Sequence, residues 1–291
     1  MQPLVQFRGV IALATCAELP TGYLEDELAE RLGATWAVWD DPGVDWDAFS
    51  LVVVRSTWDY QRDLPGFLRW AGGLSRLVNP ASVLAWNTDK RYLAELAAAG
   101  VPVVPTTVGT PGEGVALADH GEWVIKPTVS AGSRDTGRYD LGEPDQVRLA
   151  RRHVDRLLAA GRAVMVQPYL AAVDVAGETA LLYLDGRFSH AIRKGALLTG
   201  PDQGDVRLYR PETITAREAS AAEREVADRV LAAVPWSGLA YARVDLIPGQ
   251  DGAPVLLELE LTEPSLFLGH SDGAPARAAR AIAAALGRGR S

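Results

Sequence analysis

The feature that most narrows what this chain can fold into is a set of acids embedded in apolar, strand-like sequence: Asp245 in AYARVDLI, then Glu258, Glu260 and Glu263 in VLLELELTEPSLFL. Side chains alternate along a strand, so Glu258 and Glu260 point one way while Leu257, Leu259 and Leu261 pack the other. Carboxylates turned toward a protein interior are costly unless positive charge stands between them. If the strand of Asp245 lies beside that of Glu258, three carboxylates converge. Hard oxygen donors of this kind suit Mg²⁺, which keeps several waters and takes further ligands from substrate phosphates. Asp245, Glu258 and Glu260 are therefore the expected metal ligands. The alternative is two amphipathic strands with solvated acids on their outer faces.

A phosphate-bearing ligand needs cations and free backbone amides, and both lie upstream. Lys126 closes the strand-like WVIK and leads into PTVSAGSRDTG, where Ser130, Gly132 and Ser133 leave N–H groups able to fold over phosphate oxygens. Neither GxxxxGK[ST] nor a GxGxxG following a strand occurs, which excludes the P-loop and dinucleotide fingerprints. Lys90 sits in AWNTDKRYLAELAAAG, where Asn87 or Thr88 is expected to cap a helix that Gly100 stops. AVMVQPYL reads as a strand ending at Gln167, Pro168, Tyr169 and Leu170. Its proline removes a donor and stops the ladder, freeing backbone groups for the edge of a flat heterocycle such as adenine. Glu178 opens ETALLYLDGRFSHAIRKG, whose Asp185-Gly186 between alternating runs predicts a β-hairpin. The second hairpin strand carries His190, read as a structural hydrogen-bonding residue, followed by Arg193 and Lys194.

In the first third, GVIALA, TWAVW and LVVV read as parallel strands buried on both faces, with a helix over residues 22–32 presenting Leu24, Leu28 and Leu32. Open α/β sheets bind ligands beyond the carboxyl ends of their strands, and the third strand empties into Arg55, Ser56, Thr57, Trp58, Asp59 and Tyr60. That composition suits a zwitterionic amino acid: Arg55 for a carboxylate, Asp59 for an ammonium, Trp58 as a wall. The alternative is a loop whose aromatics fill a domain interface. Cys16, after the first strand, reads as a small buried residue.

This order of elements resembles the ATP-grasp ligases over residues 87–268. The resemblance implies an α/β chain with α+β elements, in which an ATP-grasp fold follows an N-terminal open parallel-sheet substrate domain. It also implies that Lys90 and Lys126 contact ATP phosphates beneath the loop of Ser130, Gly132 and Ser133. Gln167, Pro168, Tyr169 and Leu170 then form the adenine hinge, Glu178 contacts ribose or else serves the metal site or the hairpin, and Asp245, Glu258 and Glu260 hold two Mg²⁺ ions. Family members commonly carry Glu-x-Asn, whereas this chain has Glu258-x-Glu260; glutamate still offers oxygen, at a different charge. RSTWDY, WNTDKRYL, SHAIRKG and LELELTEPSLFL also look like the branch that includes the cyclo-ligase closing O-ureido-D-serine to cycloserine. The family position of Glu263 and Ser265 adds them to Arg55, Ser56, Thr57, Asp59 and Tyr60 as substrate contacts.

The chemistry implied is transfer of the ATP γ-phosphoryl to a carboxylate, giving an acyl phosphate that a nitrogen nucleophile attacks. Arg243, on the strand face of Asp245, is the first candidate to stabilise the developing charge, with Arg193 and Lys194 beside it. Residues 128–137 are the expected lid, hinged at Gly132 and Gly137. Intramolecular ring closure is the expected outcome; intermolecular amino-acid ligation and non-catalytic ATP sensing are the alternatives.

At 291 residues and 48% hydrophobic content the chain supports several subdomains, expected at 1–86, 87–164 and 165–291. One cysteine excludes an intramolecular disulfide. A net charge of −8 argues against nonspecific nucleic-acid binding. With neither a signal sequence nor an apolar run of membrane-spanning length, the expectation is a cytoplasmic enzyme, possible homodimerisation included, acting on a small amino-acid-like substrate.

Overall fold

Three sheets carry the chain in the computed structural model, which describes residues 10–204, 208–209 and 211–288. The first is parallel, in the order β2-β1-β3-β4, and is built from β1 (Ile11–Thr15), α1 (Asp26–Leu32), β2 (Ala34–Val38), β3 (Leu51–Ser56), α2 (Leu64–Gly73) and β4 (Leu77–Val78). β1 and β3 are buried throughout, as expected of central parallel strands. β2 is half exposed, because at the edge it has a strand on one side only. The first helix is shorter than its apolar spacing suggests. It begins at Asp26, whose carboxylate and that of Glu27 favour a helix N-terminus, and leaves Leu24 outside at a φ of 54° and 76% exposed.

α3 (Ala81–Asn87) and α4 (Tyr92–Ala98) follow, with Lys90 in the turn between them rather than in a first helical turn. Asn87 therefore ends a helix instead of capping one, and the Thr88 hydroxyl donates back to the Leu84 carbonyl. The second sheet is antiparallel, in the order β5-β8-β6-β7, with β5 (Thr107–Gly109), β6 (Glu122–Pro127), β7 (Gly137–Asp140), α5 (Pro144–Ala159) and β8 (Val164–Pro168). The boundary expected after residue 164 falls inside β8, which pairs with β5 and β6, so this sheet extends to Pro168.

After α6 (Val173–Ala176) comes the third sheet, antiparallel in the order β11-β10-β9-β12-β13. It comprises β9 (Glu178–Leu184), β10 (Arg187–Lys194), β11 (Ile214–Arg217), α7 (Ala221–Ala233), β12 (Tyr241–Pro248) and β13 (Pro254–Glu260), and α8 (Ala274–Arg288) completes the order. Asp185 and Gly186 both take positive φ, 51° and 71°, the backbone that a two-residue hairpin of primed type requires. One apolar cluster joins Ile11, Leu13 and Leu28 of the first layer to Leu182, Ile192 and, from α8, Ala278 and Ile282. That shared core fixes the N-terminal sheet against the third sheet. Among the described residues no helix is long and apolar enough to cross a membrane.

Candidate active site

β12 and β13 pair so that Asp245 stands opposite Glu258 and Arg243 opposite Glu260. The side-by-side placement expected for the acid-bearing strands is thus present. Asp245, 1% exposed, accepts from Arg243 at 2.8 and 2.9 Å and from Lys194 Nζ at 2.9 Å. Lys194 also lies 2.8 Å from Glu178, its cross-strand neighbour on β9. Arg243 reaches on to Glu260 and to the Ser265 carbonyl, the latter at 3.2 Å. Lys90 Nζ sits 3.1 Å from Glu258 and donates to the Ser130 carbonyl at 2.7 Å. The positive charge that inward acids demand is supplied here by Arg243, Lys194 and Lys90.

Burial alone would raise the Asp245 carboxyl, but the Arg243 and Lys194 charges overcome it and hold the group down at about 2. Glu260 goes the other way. Burial dominates, Arg243 offsets it in part, and repulsion from Glu258 and Asp245 adds, so its carboxyl is pushed up to about 7. Three oxygen donors that repel one another in this way fit a divalent cation, whose charge would relieve the repulsion. Asp245, Glu258 and Glu260 are the residues that would hold it.

Among the described residues, the tight trio of ligand atoms within 4.8 Å of one another lies elsewhere, at Cys16, Glu18 and Asp59. Burial and the Asp59 charge push the Cys16 thiol up to about 11, and Glu18 is occupied by Arg62, so this trio offers no thiolate to a metal.

Glu263 is buried beside this group, and burial together with the Glu260 charge, against Lys90, pushes its carboxyl up to about 8. A group whose folded pKa exceeds its ordinary 4.5 contributes stability that is complete below that value and lost as pH rises through about 8. The nucleotide-free protein is accordingly expected to melt at lower temperature as pH rises from about 5 to about 8, and Glu263→Gln to flatten that slope. Thermal melts across this range check it; parallel slopes for the two proteins would refute it.

The opposite wall of the cleft carries the lysine and loop expected to meet phosphate. Lys126 is buried there, and burial, opposed by Glu258 and reinforced by Lys90, lowers its pKa. Ser130, Gly132, Ser133 and Thr136 line the same wall. Gly132 has a φ of +62°, and a Cβ on it would meet the Leu208 carbonyl oxygen at 2.5 Å and the Tyr209 Cα at 2.8 Å, so only glycine lets the two segments approach. The Ala131 N–H donates to Gln61 at 2.7 Å, anchoring the loop to the N-terminal layer. Gln167, Pro168, Tyr169 and Leu170 line the far end with Glu178. The hinge is less open than proline chemistry suggests: the Tyr169 N–H is bonded to the Glu122 carbonyl, and the Gln167 amide donates to Thr106.

The loop after β3 departs most from expectation. Arg55 is 1% exposed and outside the cleft, bonded to Glu25 at 2.6 and 2.8 Å and to the Pro264 carbonyl at 2.6 Å. Asp59 accepts from the Trp39 indole at 2.9 Å, Ser56 accepts from the Tyr23 N–H at 3.1 Å, and Thr57 is buried; none of them lines the cleft. Trp58 and Tyr60 do line it, together with Tyr23, Glu263 and Ser265. Tyr23, Trp58 and Tyr209 pack mutually, with ring centroids 5.0 to 5.3 Å apart, and form one wall. Tyr23 was not singled out in the sequence, although it follows β1 and so lies beyond the carboxyl end of a parallel strand.

Arg193 faces away from Lys194 and donates to the Ala176 and Val175 carbonyls at 2.8 Å each. Gly177, at φ +71°, makes room for it, since a Cβ there would lie 2.8 Å from Arg193 Nε. His190 bonds the Leu266 carbonyl at 3.0 Å, a structural contact.

A cleft between two antiparallel sheets, with lysines and a glycine-bearing loop on one wall and paired strand acids on the other, is the ATP-grasp arrangement. Solved ligases share that fold: the D-alanine–D-alanine ligase of Bacillus anthracis complexed with ATP matches over 96% of this chain and 98% of its own, at a TM-score of 0.64 and 14% identity. The fold and site define an ATP-grasp ligase.

The match narrows with the cycloserine biosynthesis protein DcsG of Streptomyces lavendulae, 43% identical over 300 residues, 94% of this chain and 98% of that protein. The crystal structure of D-cycloserine synthetase DcsG superposes at a TM-score of 0.83 with 39% identity, over 96% of this chain and all of the other. A profile of the N-terminal domain of D-cycloserine synthetase DcsG matches residues 11–79. The chain belongs to the DcsG family.

Proposed function

We propose that this ligase activates the carboxylate of a small amino-acid substrate as an acyl phosphate and closes a ring by attack of a nitrogen of the same molecule, which expels phosphate; with O-ureido-D-serine the carbamoyl group on that nitrogen is then lost to water as carbon dioxide and ammonia, leaving D-cycloserine. The observation that carries it is one cleft lined by Glu258 and Glu260 on one side and by Lys90 and Lys126 on the other, with Asp245 buried beside Glu258 and bonded to Lys194. Lys90 and Lys126 hold the ATP phosphates under the loop of Ser130, Gly132 and Ser133, while Gln167, Pro168, Tyr169 and Leu170 bind adenine and Glu178 binds ribose. Bound Mg²⁺, two ions in this reading, supplies neutralising charge at the phosphate oxygens. Arg243 and Lys194 stabilise charge as the phosphoryl group moves. Glu263 and Ser265 contact the substrate.

The wall of Tyr23, Trp58 and Tyr209 supports this chemistry, because an acyl phosphate survives only where water is kept out. Cytoplasmic residence and a homodimer belong to the same proposal. The deciding assay is Mg²⁺-dependent nucleotide turnover with candidate carboxylates. ADP and phosphate are expected with O-ureido-D-serine as sole substrate. A requirement for a second amine would replace ring closure by intermolecular ligation, AMP would rule out the acyl phosphate, and tight ATP binding without turnover would leave a sensor.

A further inference from the structure

β13 is the last strand of its sheet, so one of its edges has no strand beside it. An unpaired edge leaves N–H and C=O groups that need partners and permits the strand to slip. Here the partners are side chains. Tyr92 Oη accepts from the Leu259 N–H at 2.9 Å and donates to the Leu259 carbonyl at 2.8 Å. Asn87 Nδ2 donates to the same carbonyl at 2.8 Å, while Asn87 Oδ1 accepts from the Leu261 N–H at 2.7 Å and from the Thr262 N–H and hydroxyl at 3.2 Å each. Both residues are buried. Further along, the Leu256 N–H donates to the Pro102 carbonyl and the Val104 N–H to the Leu256 carbonyl. Residues 87–104 thus take the place of a sixth strand.

Two facts make this clasp more than a packing detail. Leu259, the residue gripped from outside, lies between Glu258 and Glu260, whose side chains take the other face. Lys90, which reaches Glu258, lies between the two gripping residues in sequence. The segment that delivers the cation therefore also holds the strand that delivers the carboxylates. A one-residue slip of β13 would turn both glutamates into the apolar layer, and the pairing with β12 already shifts register between Asp245 and Leu246, next to the glutamates.

We propose that Asn87 and Tyr92 are positioning residues which fix the separation of Lys90 from Glu258 and Glu260, so that lysine and carboxylates meet one metal–nucleotide at a set span. The clasp has this role only if the cleft takes nucleotide with Mg²⁺, as proposed above. The test is the factor by which Mg²⁺ tightens ADP binding, measured by calorimetry in wild type, Tyr92→Phe and Asn87→Ala. Tyr92→Phe loses both hydrogen bonds but keeps its ring in the core. Asn87→Asp, which keeps the acceptor and loses the donor, should regain part of what Asn87→Ala loses.

The expected result is a roughly tenfold or larger fall in the Mg²⁺ factor, the scale seen when outer partners of metal ligands are removed. Affinity for metal-free ADP should change by less than about twofold, since the phosphate and hinge contacts remain. Tyr183→Phe, which loses a 2.8 Å bond to Asp228 on the α7 side of the sheet, controls for lost stability and should keep the wild-type factor. Clasp variants that melt earlier yet keep the wild-type factor would reduce Asn87 and Tyr92 to structural residues. A wild-type protein that binds ADP with no response to Mg²⁺ would instead overturn the nucleotide site itself. An Asn87→Ala protein that does not fold leaves Tyr92→Phe to decide.

Discussion

Asp245→Ala is expected to destabilise this protein by about 3–5 kcal/mol, the cost of leaving buried cations uncompensated, as well as to stop turnover. The residue satisfies two cations at once. Without it Arg243 keeps Glu260 and the Ser265 carbonyl, and Lys194 keeps Glu178, but the charge between them is gone in a site almost closed to water. A loss of this size should lower the melting temperature by on the order of 10 °C for a chain of this length. Glu258→Gln makes the informative comparison, because Lys90 retains the Ser130 carbonyl and Glu258 is partly exposed. That variant should lose Mg²⁺-dependent turnover with a much smaller drop in melting temperature. The pH dependence also has a definite sign. The Asp245 carboxyl is held at about 2 in the fold, so its contribution is complete above its ordinary value of 3.8 and is lost as pH falls toward 2. Scanning calorimetry and ADP release on the two variants check the pair; equal melting losses would mean that Asp245 and Glu258 are held alike, contrary to their surroundings.

What was legible in the sequence was whatever local periodicity dictates. Alternation along LLELEL put Glu258 and Glu260 on one strand face, the condition that the strand of Asp245 lie beside them is met by the β12–β13 pairing, and Asp185-Gly186 specified its own turn through two positive φ values. What stayed hidden depends on partners far away in the chain. Arg55 meets Glu25 thirty positions earlier and Pro264 more than two hundred later, and no spacing rule reports either. Asn87 looks like an N-cap because its amide favours helix starts, yet here the same amide caps an edge strand. Leu24 fits a helical stripe by spacing, but its positive φ places it outside the helix. The aromatic wall assembles from three separate segments, so its members look unrelated along the chain.

Arg55 offers the second large effect, because burial and substrate binding make opposite forecasts for it. Its guanidinium is gripped by both Glu25 oxygens and by the Pro264 carbonyl, and lies 5.0 Å from the Tyr241 ring centroid. Arg55→Ala should therefore destabilise by about 3–5 kcal/mol, since it strands the Glu25 carboxylate in the interior. It should also free the loop of Glu263 and Ser265 that Pro264 anchors, so that turnover falls with stability. Removing the partner as well reverses the sign of the argument. In Arg55→Met with Glu25→Leu no charge is left buried, and replacement of an ion pair by apolar residues of similar volume is often neutral or stabilising. The double variant should recover most of the lost melting temperature but not the hydrogen bond to Pro264, so turnover stays below wild type while stability returns. A substrate ligand with no part in holding the fold would behave differently: Arg55→Ala would raise KM and leave the melting temperature where it was. Thermal melts and KM on the single and double variants separate these outcomes, and an unchanged melting temperature in Arg55→Ala would return Arg55 to the substrate site.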